Sequence, residues 1–320
     1  MSGHMQFADF VVSHALELNS QCLRTVAQAI GDAPLADEDL RALRADALRL
    51  ASLWQMLHWA IGKPAYRQGR RRMARILELV PEAGDWVDRA ARQIAGKSDD
   101  ERRLRAVSAA AERVASRLPA AGPICWAEVG RIFEAESAAW RDAAVLRKVH
   151  DGDLVEHGIV RAYQQSRRWC EAYGERPASR KRMSRARRWL RHCVNHLELL
   201  QPALSDSGKA HAWYLERLQS NVEKAFLVQR FVEMAGAPGD GGARAPLKAK
   251  ALARVQSLAQ ARAVRLQARS KKLMVGAFEP DADDFSRAVG RAAGKLALPE
   301  LELEPLPAAM SPGSDEEAAR

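Results

Sequence analysis

The chain has 320 residues, of which 47% are hydrophobic and only 6% aromatic, and its 50 lysines and arginines outweigh 40 acidic residues to leave a net charge of +10. Alanine and leucine dominate the hydrophobic residues, which favours helices over sheets. No stretch approaches the roughly 20 apolar residues of a membrane span, and the four cysteines lack the close spacing of a zinc site or a disulfide framework. We therefore expect a cytoplasmic, all-α protein whose surface attracts anions.

Clusters of glycine and proline divide the chain into about ten helices joined by short connections. These breaks fall at Gly31–Asp37, Gly62–Pro64, Pro81–Gly84, Pro119–Pro123, Asp151–Asp153, Gly174–Pro177 and Pro202–Gly208. Ser98 and Glu101 have the spacing of a capping box, which predicts a helix beginning there. Gly236–Pro246 predicts a longer loop, and the proline-rich, acidic segment beyond Gly294 predicts a disordered tail.

A first cationic stripe follows Tyr66. Arg67, Arg71 and Arg75 recur at intervals of four residues and so share one face of the predicted helix, with Arg70 and Arg72 flanking them. The other face is apolar and is predicted to enter the core. Its residues are Met73, Ile76, Leu77 and Val80.

Two further helices repeat this pattern of one cationic and one apolar face. In the helix that starts near Arg180, the cationic residues are Arg180, Lys181, Arg187, Arg188, Arg191 and His192, and the core residues are Met183, Ala186, Leu190, Cys193, Val194, Leu197 and Leu200. In the helix before Phe278, the cationic side holds Arg254, Arg262, Arg265, Arg269 and Lys272. No acidic residue lies between Arg176 and His196, and such a row repels itself unless an anion binds to it. Three stripes of this kind predict a common anion-binding groove.

The order of several short motifs resembles one known family. The first half carries Arg41 and Arg44, the apolar run 53–57, Gly62, the pair Tyr66 and Arg67, and the turn Gly84 and Asp85. The second half carries Gly158, Arg161 and Tyr163, then Arg187, Arg188, Arg191, His196 and Leu200, and finally Phe278, Pro280 and Phe285. Over more than two hundred residues this sequence is similar to the CHAD domain, the conserved-histidine α-helical domain. The histidines that name the family align with Arg41 and Ser184.

The resemblance implies two four-helix bundles related by an internal pseudo-twofold, over residues 1–150 and 151–294, with the tail at 295–320. It also implies a central arginine-rich groove that binds inorganic polyphosphate, without catalysis and without a cofactor, and a protein that is directed to polyphosphate granules. The expected polyphosphate-binding residues are Arg41, Arg44, Arg49, Arg67, Arg71, Arg75, Arg180, Arg187, Arg188, Arg191, His192, Arg262, Arg265, Arg269 and Lys272. Because phosphate favours the imidazolium form, we expect His192 to gain a proton when the polyanion binds.

Other interpretations of the same residues remain open at this stage. His192 and His196 have the four-residue spacing of helical metal sites, but no third ligand accompanies them, so packing or phosphate contact is the favoured interpretation and no metal is expected. The same positive charge would serve a nucleic-acid-binding protein. It would also serve a scaffold for an acidic protein or a storage granule.

Overall fold

The computed structural model is helical throughout the residues that it describes, and no strand occurs among them. The described residues are 7–31, 35–82, 85–96, 100–118, 123–142, 149–175, 179–237 and 247–296. The predicted loop from residue 238 to 246 and the predicted tail from residue 297 lie outside these ranges. The all-α class predicted from composition is therefore confirmed.

Eleven α-helices are numbered in chain order within these ranges. They are α1 (Phe7–Ile30), α2 (Asp37–Leu79), α3 (Asp85–Ala95), α4 (Glu101–Ala115), α5 (Trp126–Asp142), α6 (Asp151–Leu154), α7 (Arg161–Glu175), α8 (Arg180–Leu200), α9 (Asp206–Gly236), α10 (Ala249–Ala277) and α11 (Ala282–Lys295). A π-helical stretch, Val155–Val160, joins α6 to α7 without a break. No described helix is both long enough and apolar enough to cross a membrane.

Helix α2 folds back on itself at the predicted break. Gly62 has φ of 77°, a left-handed conformation that glycine adopts without a steric penalty, and Pro64 follows it inside the helix. The two segments then lie antiparallel, because Tyr66 donates a hydrogen bond from its hydroxyl to Gln55 Oε1 at 2.6 Å. Close packing reinforces this pairing, since a Cβ added at Gly69 would lie only 2.6 Å from the ring of Trp54.

Side-chain caps begin several of the helices. Asp100 accepts hydrogen bonds from the backbone of Arg102 at 2.9 Å and Arg103 at 3.4 Å. The cap of α4 therefore lies two residues after the predicted cap Ser98, a residue outside the described ranges. Ser179 caps α8 in the same way through the backbone nitrogen of Arg182. The arginine-rich part of α8 therefore starts directly after its cap.

Two similar polar clamps hold helix pairs together within the core. Asn19 of α1 donates from Nδ2 to the carbonyl of Phe133 at 2.9 Å and to the hydroxyl of Ser137, both on α5. Asn221 of α9 donates from Nδ2 to the carbonyl of Leu266 at 2.7 Å and to the hydroxyl of Ser270 at 2.8 Å, both on α10. Each buried amide thus joins two helices through a carbonyl and a hydroxyl four residues apart.

The contacts between helices cross the boundary predicted near residue 150. Helix α1 packs on α2 and α5, but α3 and α4 pack against α9 and α10. Arg117, just after α4, donates from Nη1 to the carbonyl of Met234 at 2.6 Å and from Nη2 to the carbonyl of Ala237 at 2.8 Å, at the end of α9. The arrangement as two four-helix bundles related by a pseudo-twofold stays a prediction.

The apolar faces predicted for α8 and for the second segment of α2 are confirmed. All seven predicted core residues of α8 are buried, as are Met73, Ile76 and Val80 in or next to α2, and Leu77 is half-buried. Since the apolar face of each helix is directed into the core, its arginines are left at helix junctions and at the surface.

Candidate functional site

A serine at the junction of α2 and α8 fixes how the two arginine-rich helices meet. Ser52 donates from its hydroxyl to the carbonyl of Leu48 at 2.9 Å, and the same oxygen accepts from Asn195 Nδ2 at 2.9 Å and lies 2.9 Å from His192 Nδ1. His196 Nε2 lies 2.9 Å from the carbonyl oxygen of Ser52. These bonds place the polar face of α8 directly over α2.

The two histidines at this junction are neutral packing groups. Burial is the largest cause that lowers the pKa of His196, to about 4. Burial also lowers the pKa of His192 well below its ordinary value, and the charges of His196, Arg191 and Arg188 add to this effect. His192 therefore stays uncharged near pH 6, which argues against the expectation that it gains a proton when a polyanion binds. Among the described residues, no three His, Cys, Asp or Glu side chains come together as metal ligands.

Arginines on one side of this junction are paired with carboxylates. Arg187 donates to both carboxylate oxygens of Glu223 on α9, with Nη2 lying 2.8 Å from Oε1, and Arg191 Nη2 lies 3.8 Å from Oε2. Arg230 of α9 donates to Glu82 at 2.7 Å. We call this set, completed by Arg44, the paired arginine cluster; it consists of Arg44, Arg187, Arg191, Arg230, Glu82 and Glu223.

The charges of the paired arginine cluster act on one another across both halves of the chain. Arg44 donates hydrogen bonds to the carbonyl of Leu77, at 2.8 Å, and to the carbonyl of Val80. Burial is the largest cause that lowers the pKa of Arg44. The charge of Glu82 opposes this shift, and the charges of Arg230 and Arg187 add to it. Burial, followed by the charge of Arg187, lowers the pKa of Arg191 to about 10. Arg44 and Arg187 therefore do meet, but in a place that already holds two carboxylates.

Among the described residues, the cations on the other side of the junction form no ion pair with a carboxylate. Burial lowers the pKa of Arg188, and the charges of Arg70 on α2 and Arg185 on the same helix lower it further, with only Tyr66 opposing. Two more cations act on the neighbouring His58, whose pKa falls through burial and through the charges of Arg161 and Lys63. We call this set the open cationic cluster; it consists of Lys63, Arg70, Arg161, Arg185 and Arg188.

Aromatic rings rather than carboxylates hold the open cationic cluster in place. Tyr66 stands at its centre, with its ring centroid 4.3 Å from that of His58 and 5.6 Å from Cζ of Arg70. Arg185 places its Cζ 4.3 Å from the ring centroid of Trp169 on α7. In the parts of the chain that the structure describes, no member of this cluster forms an ion pair with a carboxylate. Such a cluster of like charges is stabilised when an anion binds to it.

The remaining predicted site residues are dispersed over the surface of the molecule. Arg67 and Arg71 are exposed on α2 near Arg70, and Arg41 is exposed near the start of the same helix. Three others are paired with acids at different places: Arg49 with Asp46 and Glu198, Arg75 with Glu78 and Glu128, and Arg180 with Glu233.

The third predicted stripe lies along α10, beside α9. Arg262 and Arg269 of α10 act on Lys224 of α9, and Lys272 is exposed on the same helix. Of the five residues of the open cationic cluster, only Arg188 was among the binding residues expected from the sequence. The other four, which were omitted, are Lys63, Arg70, Arg161 and Arg185. The sequence feature that could have indicated these cations was the presence of the aromatic residues Tyr66 and Trp169, on which Arg70 and Arg185 stack.

Comparison of the chain with protein-family models, with curated proteins and with solved structures found no match.

Proposed function

We propose that this protein binds inorganic polyphosphate without catalysis, at the open cationic cluster. The observation that supports the proposal is the convergence of cations from α2, α7 and α8 with no carboxylate partner in the described chain. An anion that fits must offer several negative groups close together, because the repulsion within the cluster is spread over several side chains. A chain of phosphate groups has this form.

Arginine is well suited to such a ligand. Its planar guanidinium donates two parallel hydrogen bonds to the oxygens of one phosphate, and it stays charged at physiological pH. The stacking of Arg185 on Trp169 and of Arg70 on Tyr66 restrains both guanidinium groups before the ligand arrives. Less conformational entropy is then lost on binding. Since neighbouring phosphates of one chain bind neighbouring cations, individually weak contacts add up by multivalency.

The paired arginine cluster continues the site along α8 but contributes less to binding. Arg187 and Arg191 already contact Glu223, so an incoming phosphate has to compete with a carboxylate that is part of the protein. We therefore place the strongest binding at Arg70, Arg185 and Arg188. In a cell, a protein with this affinity would be found on polyphosphate granules.

A competition experiment tests this function. Labelled long-chain polyphosphate is bound to the full chain, and unlabelled polyphosphate or duplex DNA of equal phosphate concentration is added at one salt concentration. Polyphosphate is expected to displace the label at a much lower concentration than DNA. If each of the five cations of the open cationic cluster neutralises one phosphate, raising salt from about 50 to about 200 mM lowers the affinity roughly a hundredfold.

Charge reversal locates the site. The double variant Arg70→Glu with Arg188→Glu should lower the affinity for polyphosphate at least tenfold more than the matched control Arg24→Glu with Arg131→Glu. Arg24 and Arg131 are exposed on α1 and α5 and form hydrogen bonds only within their own helices. An equal loss in the two variants would show that net charge alone binds the polyanion, and tighter binding of DNA would favour a nucleic-acid-binding protein instead.

A further inference from the structure

A second group of cations lies on α9 and α10, away from the α2–α8 junction. Arg262, Arg265 and Arg269 follow one another along α10, and Arg217 and Lys224 lie beside them on α9. We call these five residues the α10 row. Arg217 also places its Cζ 5.1 Å from the ring centroid of the exposed Trp213. The row therefore extends across two helices that pack along their length.

The charges that lower the pKa values of Lys224 and Arg262 are all positive. Burial lowers the pKa of Lys224, and the charges of Arg269, Arg262 and Arg217 lower it further, with no acidic group opposing. Burial also lowers the pKa of Arg262, and the positive charges of Arg265 and Arg269 lower it further. Within the described ranges, none of the five residues forms an ion pair. Among the described residues the row is thus like the open cationic cluster in having no ion pair with a carboxylate.

A small hollow at one end of the row brings in a cation from a third helix. Its volume is about 190 Å³, and it is lined by the end of α3, by Arg103 of α4 and by Arg262 and Arg265 of α10. Arg262 donates from Nη2 to Gln93 Oε1, but its buried Nε has no hydrogen-bond partner in the structure. Arg103 also pairs with Asp100 at 3.2 Å, which leaves two arginines of the hollow without a carboxylate. A hollow of this size suits one phosphate group rather than a larger organic ligand.

The α10 row and the paired arginine cluster lie on different sides of α9. Glu223 and Phe226 of α9 face Arg187 of α8, whereas Arg217 and Lys224 of α9 lie beside α10. Apolar residues between these sides, including Val222 and Ala225, are buried. The buried face of α9 therefore separates the α10 row from the paired arginine cluster.

We propose that the α10 row is a second surface for a phosphate polyanion, so that one protein molecule bridges two polyanion chains or two segments of one chain. The bridging rests on the proposed function, since it needs the first surface as well, whereas binding at the row does not. An unpaired row with a phosphate-sized hollow at its end favours phosphate as the group recognised. A protein with two such surfaces condenses long polyphosphate by cross-linking it.

Calorimetric titration with short-chain polyphosphate tests the second surface directly. The full chain should bind two short chains per molecule, and the variant Arg265→Glu with Arg269→Glu should bind one. The variant Arg70→Glu with Arg188→Glu should also bind one, at the other surface, and the control Arg24→Glu with Arg131→Glu should still bind two. Unchanged thermal unfolding of each variant would show that the fold is intact and that the comparison is fair.

Light scattering with long-chain polyphosphate tests bridging. The unmodified protein and the control should raise the scattering, and either surface variant should abolish the rise while retaining binding.

A stoichiometry of one in the unmodified protein, or a stoichiometry unchanged by Arg265→Glu with Arg269→Glu, would overturn the second surface. If only the α10 row variant loses binding, the proposed first site fails and the row stands. If single-stranded nucleic acid of equal phosphate content binds the row more tightly than polyphosphate, the row is a nucleic-acid surface and the proposal is wrong.

Discussion

Replacing Glu223 by glutamine removes the carboxylate that two arginines of the paired arginine cluster share. Glutamine has nearly the same shape and can still accept a hydrogen bond from Arg187, but it carries no charge. The side chains of Arg187 and Glu223 are 26% and 30% exposed, so both are within reach of a ligand. We expect this single change to extend the proposed phosphate-binding surface from the open cationic cluster along α8.

The size of the effect follows from the two arginines that become free. Each additional phosphate that is neutralised steepens the dependence of log K on log salt by about 0.7 to 0.9, so two arginines add about 1.4 to 1.8. Between about 50 and 200 mM salt, the variant should lose roughly tenfold more affinity than the unmodified protein, starting from tighter binding at low salt. The cost in stability should be about 1 kcal/mol, because the ion pair is partly solvated.

The assay is polyphosphate binding at four or more salt concentrations, with the urea midpoint measured in parallel. The matched control is Glu198→Gln, which removes the same charge near the end of α8 but leaves Arg49 paired with Asp46. If Glu223→Gln leaves both the affinity and the salt slope unchanged, Arg187 and Arg191 take no part in binding. If the control steepens the slope equally, the protein responds to net charge and the site-based reasoning is refuted.

Three further predictions concern the fold around these clusters. His192 and His196 are neutral in the folded protein, with the pKa of His196 lowered to about 4. The unfolded chain therefore binds more protons than the folded protein below about pH 6.5. As the pH falls from about 6 to about 5, each histidine should lower the free energy of unfolding by up to about 1.4 kcal/mol per pH unit, measured by urea titration. A free energy of unfolding that is independent of pH in this range would contradict this. Gly158→Ala should destabilise the protein by about 1 to 3 kcal/mol, because the new Cβ would lie 2.8 Å from the carbonyl oxygen of Met56. Gly290→Ala has open space around the new Cβ and should stabilise the protein by about 0.5 to 1 kcal/mol. Equal melting temperatures of the two variants would refute the close approach at Gly158. Glu136→Ala should cost about 3 to 5 kcal/mol in a urea titration, because this buried carboxylate accepts from Arg72 at 2.5 Å and removing it leaves an unpaired buried charge; a loss below about 1 kcal/mol would refute this role.

The sequence alone was sufficient for the parts of the structure that depend on local pattern. Composition predicted the all-α class, and the period of 3.6 residues separated the buried face of α8 from its cationic face. The break at Gly62 and Pro64 was also predictable, because glycine permits a positive φ and proline removes a helical hydrogen bond. Each of these features is decided within a few residues of chain.

The partners of the arginines were decided by the tertiary structure. Arg187 and Arg188 are neighbours on one cationic face, yet α9 brings Glu223 to Arg187, and α2 brings Arg70 to Arg188. Periodicity gives the face of its own helix on which a charge lies, but it does not give the charge that another helix places opposite. For the same reason the sequence did not show that Arg262 and Arg269 of the third stripe lie beside Lys224 of α9.

Whether an arginine is available to a ligand depends on its electrostatic interactions with the other charges of the protein. These interactions weaken with distance and strengthen with burial. They are set by packing between residues far apart in sequence, such as Ser52 with His192 and Asn195. The sequence by itself therefore determined that this protein carries rows of cations on amphipathic helices. Only the tertiary structure decided which of those cations, among the described residues, form ion pairs with carboxylates and which do not.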